Sequence, residues 1–226
     1  MSRFLPFALG LGAVCVLTLM NGIIKNLSPG YDTVQVSFLR YLSGGLFAVM
    51  LAGYLRPALP GRGTVRPQIV RGMLGCLSGT SFFFALRHLS LADTFTIGFL
   101  APLFVVVFSL LLLKEKPRLV DLAGVALGFS GMLIIVTGAG GAGARPWFGV
   151  AAAALSAITY ALSMTMLRVL AQKEAFIIIV LFQHWVSTLL LLPMAAMVWV
   201  MPGLIDLVLF FIAAALGVLG HLAFAR

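Results

Sequence analysis

Apolar runs, separated by short polar or basic segments, recur along the whole chain. A bilayer core about 30 Å thick needs about 20 helical residues at about 1.5 Å each. Runs of that order predict spans over 4–24, 33–55, 70–88, 92–113, 119–138, 147–167, 175–200 and 205–225. The third is the shortest: only Gly72 to Leu86 is free of charge, so Arg71 and Arg87 must reach for the interfaces. The seventh carries His184 and Pro193. The predicted fold is an all-α integral membrane protein, a polytopic helical bundle of about eight transmembrane spans.

Composition agrees. Of the 226 residues, 62% are apolar and 9% charged, where a soluble domain carries roughly 25% charged residues. Too little polar surface remains to cover a water-facing globule. The first span is too long for a signal-peptide core and has no convincing small-residue cleavage site. Cys15 and Cys76 both fall inside spans, which makes them buried thiols rather than a disulfide framework.

The net charge of +9 could suggest nucleic acid, but the basic residues lie between apolar runs, with no aromatic–basic platform. With the N-terminus inside, the inner segments hold Arg3, Arg56, Arg62, Arg66, Arg71, Lys114, Lys116, Arg118, Arg168 and Lys173. The outer segments hold only Lys25, Arg87 and Arg145. That asymmetry predicts a cytoplasmic N-terminus.

The glycine-rich stretch 139–146 divides the chain into 1–138, with five spans, and 147–226, with three. Sliding the chain by 142 or 143 residues lays the first two spans on the sixth and seventh and brings Gly75 onto Gly217. Thr18, Asn21 and Lys25 meet Ser156, Tyr160 and Ser163 one residue out of phase. A repeat with an odd number of spans must enter the membrane from the opposite side the second time. Such inverted repeats are a transporter architecture, with the site between the halves.

The stretch LSLADTFTIGFLAPLFVVVFSLLLLKEKPRLVDLAGVALGFSGMLIIV, residues 89–136, resembles the end of the first repeat in the drug/metabolite transporter superfamily, EamA-like family. Pro102 midway through the fourth span, Glu115 just after it, Gly124, Gly128 and Gly131 in the fifth, and Arg40 early in the second carry the resemblance. It implies two inverted five-helix repeats. Here the second begins near Pro146 and stops at Arg226, about where the first repeat's third span ends. The expectation is an incomplete second repeat, C-terminally truncated, lacking the counterpart of the Pro102 span.

Candidate solute contacts are Asn21, Arg40, Ser81, Thr96, Pro102, Tyr160, Gln183, His184 and His221. Pro102 removes a helical hydrogen bond and should kink its span, opening a cavity wall. Asn21, Tyr160, Gln183, His184 and His221 are costly against lipid and should face the bundle interior, touching solute or bonding to neighbouring helices. Gly75-x-x-x-Gly79 and Gly124-x-x-x-Gly128 predict close helix packing. Tyr31 and Trp147 suit the interfacial belt, and the aromatic run 82–88 lines a cavity or faces lipid.

Arg40 lies about seven residues into its span, roughly 10 Å by helix rise. It either snorkels back to the outer interface or faces the cavity and meets an anionic or carbonyl group. The outward-reaching, structural reading is favoured.

Two function classes compete. One is a secondary transporter, an exporter or permease of small metabolites, amino acids or drug-like solutes, working by alternating access in the inner membrane. The alternative is an integral-membrane enzyme such as a lipid-modifying transferase. The acids Asp32, Asp93, Glu115, Asp121, Glu174 and Asp206 are dispersed among loops and span ends, and no catalytic, metal-ligating or phosphate-cradling pattern is found. The expectation is a transporter with no cofactor, metal or catalytic residue. Its partners are a small-molecule substrate and the lipid bilayer, not nucleic acid, with a homodimer left open.

Overall fold

The computed structural model describes residues 4–114, 118–138 and 146–224; side chains at 4–10, 13, 132–133, 135–138 and 221–224 are outside the described set. The described chain is helical, in the order α1 (Phe4–Leu27), α2 (Thr33–Leu55), α3 (Val65–His88), α4 (Leu91–Gly98), α5 (Leu100–Phe108), α6 (Leu119–Gly138), α7 (Trp147–Leu170), α8 (Phe176–Met197) and α9 (Leu204–Phe224). Five spans among the described residues are long and apolar enough to cross a membrane: α2, α3, the stretch Leu91–Leu113, α7 and α8.

The predicted positions hold and the ends shift. α3 begins five residues before its apolar run, and α7 continues to Leu170. Hydropathy marks the part of a helix in hydrocarbon, whereas the backbone ladder runs on into the interface. Pro67 sits in the first turn of α3, where a missing N–H costs nothing. α2 starts where Asp32 accepts the Val34 N–H at 2.8 Å, and it ends at Arg56 in a left-handed conformation (φ 46°). Ser90 opens α4 reciprocally, accepting the Asp93 N–H and donating to the Asp93 carboxylate.

The fourth span is broken as expected. α4 stops at Gly98, and α5 resumes at Leu100. Pro102 has no N–H for the Gly98 carbonyl. A wide π turn follows at Ser109–Leu113, closed by Lys114 at φ 56°.

The chain forms two compact units, residues 1–73 with 170–226 and residues 74–169, each drawing helices from both sides of the glycine-rich stretch. In the first, α1 packs on α9, and α2 packs on α8 and α9. Ala48, Ile177, Val180 and Val218 form one core there. Gln35, fully buried, closes that unit at one end: its Nε2 donates to the Val200 carbonyl, and the Val200 N–H donates to its Oε1. Tyr31 is buried, with its hydroxyl donating to the Asp206 carboxylate. That bond, with burial, holds the phenol above its ordinary range. At the other end of the unit Glu174 accepts from the Gly61 N–H at 2.8 Å and from the Thr64 hydroxyl.

In the second unit α3 meets α7. The Ser78 hydroxyl donates to the Ser156 carbonyl at 3.1 Å, and Ala85, Leu89, Ile97 and Ala153 form the core. α6 packs against α4 and α5. Its glycines do not do what their spacing predicts: a Cβ built at Gly124, Gly128 or Gly131 meets nothing within 4 Å. Close approaches occur instead at Gly44, Gly72 and Gly217. Only a partner side chain, which spacing does not encode, decides where backbone approach is needed.

Candidate functional site

The first unit gathers three of the predicted residues. Arg40 on α2 is 8% exposed, and its guanidinium does not snorkel outward. Its Nη2 lies 3.8 Å from the Met20 sulfur of α1, and its carbon Cζ sits 4.9 Å from the centre of the Tyr41 ring. Gly217 on α9 makes room for this arrangement: a Cβ there would lie 2.7 Å from the Met20 sulfur and 3.6 Å from Arg40 Nη2. The favoured outward reading is therefore corrected. Tertiary packing offers a sulfur and an aromatic face nearer than the interface, and a guanidinium accepts both.

Asn21 follows Met20 on α1, is 6% exposed, and its Oδ1 has no hydrogen-bond partner among the described residues. His184 on α8 completes the group. Its ring meets Tyr41 edge-on at 5.8 Å. Its Nδ1 lies 2.9 Å from the Val180 carbonyl, an oxygen that can only accept, so Nδ1 carries the proton. The Cδ2–Nε2 edge of the imidazole points at Gly44, where an added Cβ would collide with both atoms. The result is a cation and an imidazole both against the Tyr41 ring, with a buried amide acceptor one residue along from Met20, the side chain that Arg40 touches. That chemistry suits a polar solute carrying an acidic group and a donor.

Gln183, next to His184, belongs to a different contact. It accepts from Arg71 Nη1 at 3.1 Å and donates to the Gly72 carbonyl at 3.3 Å and to Ser187 Oγ at 3.2 Å. Arg71, read from sequence as an interface residue, is 6% exposed, and its Nη2 donates to the Ile179 carbonyl.

The second unit holds Ser81, Thr96, Pro102 and Tyr160. Ser81 is half-buried and Pro102 exposed. Thr96 is buried, but its hydroxyl is turned back onto the Ala92 carbonyl at 2.7 Å. Tyr160 is 42% exposed on α7. His221 lies on α9, but its side chain is outside the described residues, as is Glu115. Among the described residues no three His, Cys, Asp or Glu side chains form a metal-binding group. The sequence reading missed Met20, Tyr41 and Gly44, apolar or small residues whose role comes only from what they touch.

Residues 5–137, more than half of the chain, match the EamA-like transporter family, and the chain belongs to that family. The pseudopaline exporter CntI, from two strains of Pseudomonas aeruginosa, is 34% identical over 104 residues. The match covers 46% of this chain and 36% of the exporter, so the chain spans little more than a third of the curated relatives it matches. A crystal structure of another protein superposes with a TM-score of 0.65 at 22% identity, over 99% of this chain and 85% of that one. It shares the helical fold.

Proposed function

We propose that the chain is a secondary transporter that exports small polar metabolites, with Asn21, Arg40 and His184 as solute contacts. The observation that carries this reading is the burial, in an apolar, lipid-solvated chain, of the Arg40 guanidinium and of the Asn21 amide oxygen, the latter without a partner among the described residues; such groups are retained there for function. Family membership and the exporter named above support transport over the enzyme alternative. Pseudopaline is the first solute to test. In proteoliposomes the chain should move it saturably, and flux no greater than through empty liposomes rejects the reading.

Alternating access between inverted repeats fits the packing. Exchange α1, α2 and α3 for α7, α8 and α9, and the α1–α9 pair becomes the α7–α3 pair, while α2–α8 maps onto itself. All three pairings occur. The charge asymmetry supports an inner-membrane protein with a cytoplasmic N-terminus. A cysteine at Gly63 should then react with an impermeant maleimide only from the inside, and one at Gly30 only from the outside. Both positions are exposed, so reaction of both from one face overturns this topology.

A further inference from the structure

Gln68 is 1% exposed, and among the described residues neither its Nε2 nor its Oε1 has a hydrogen-bond partner. It lies in the first turn of α3, where helical spacing puts Thr64, Arg71 and Gly72 on the same face. Each of those neighbours is already engaged across the seam. Thr64 bonds to Glu174, Arg71 to Gln183 and the Ile179 carbonyl, and the Gly72 carbonyl to Gln183 and Ser187. Gln68 therefore stands among satisfied polar groups with a donor and an acceptor left over. Buried amides in folded proteins are bonded, and an exception calls for a reason.

We propose that Gln68 is the contact of a second polar site, in the seam between α3 and α8, which takes an amide-type group offering a C=O and an N–H side by side. A carboxamide donates through nitrogen and accepts through oxygen, so a carboxylate satisfies only its donor and an ammonium only its acceptor. Another amide edge satisfies both. As a station on the solute's route this site rests on the transport reading above. As a binding site it does not, and the test separates the two.

The probes are acetamide and acetone, which differ in whether an N–H accompanies the carbonyl, observed by saturation-transfer NMR with the full chain in lipid nanodiscs. The acetamide signal should be at least about fivefold stronger with the wild type than with Gln68→Leu, since one net hydrogen bond changes affinity by about that factor. Acetone, whose carbonyl accepts from Nε2 but which has no N–H for Oε1, should show a smaller ratio between the two. Thermal unfolding is measured alongside, with Gln68→Met as a second apolar replacement of similar length. Because the amide has no protein partner to lose, both variants should melt at or above the wild-type temperature. Equal acetamide signals in wild type and Gln68→Leu overturn the site. So does failure of both variants to fold, which marks the amide as a structural bond. Acetamide binding without any pseudopaline flux leaves this site standing and rejects only the transport reading.

Discussion

Gly72→Ala should lower the thermal stability of the purified chain by about 1–2 kcal/mol, although alanine is the better helix former by about 1 kcal/mol. The new methyl would lie 2.8 Å from Val186 Cβ and 2.9 Å from its Cγ1. A Cβ cannot move by changing rotamer, so α3 and α8 must separate. Separation also stretches the bonds from Gln183 and Ser187 to the Gly72 carbonyl, already 3.3 and 3.5 Å long. The decisive comparison is made in a Val186→Ala background, where the obstruction is gone and Gly72→Ala should become neutral or stabilising. The same destabilisation in both backgrounds would show that the contact is not the cause. Gly217→Ala provides contrast. Its methyl meets the sulfur of Met20, the far part of a flexible side chain, and the cost should be much smaller.

Arg40→Lys should reduce solute flux about tenfold or more while leaving abundance and melting temperature close to wild type. Lysine keeps the charge but not the flat, forked cation that lies over Tyr41 and against Met20. A contact to an acidic solute group made by two parallel N–H donors would be lost with it. An arginine that only anchored the helix to the outer interface would be replaced by lysine without penalty. Wild-type flux in the lysine variant, measured at matched protein levels, would restore the anchoring role and remove Arg40 from the site.

What the sequence made legible was whatever depends on a single helix meeting lipid. α2 occupies the predicted 33–55, and the fourth span breaks beside Pro102 because one missing N–H is a local fact. What depends on a second helix was not legible. The direction of Arg40 is set by Met20 and by the absence of a side chain at Gly217, far apart along the chain. Regular glycine spacing drew attention to Gly124 and Gly128, where an added Cβ meets nothing within 4 Å, whereas Gly44, Gly72 and Gly217, outside those predicted pairs, are closely approached. The bond from Tyr31 to Asp206, 175 residues further on, is likewise set by a second helix. Gln68 sits in a basic, proline-containing run, RPQIVR, and looks like part of a solvated loop. Its burial follows from α3 starting before its apolar stretch. Asn21 and His184 drew attention because a polar group within an apolar run is conspicuous one residue at a time, and both are buried.

The pairing of Gln35 with Val200 has a consequence for how the chain meets membranes of different thickness. Between α8 and α9 the backbone leaves the helical ladder, and peptide groups there would ordinarily need water. At Val200 both are satisfied by one amide side chain, which serves as a short length of neighbouring strand. That part of the turn carries its own hydration in covalent form. It can sink toward the acyl chains in a thicker bilayer, or rise among the headgroups in a thinner one, without exchanging a hydrogen bond at that residue.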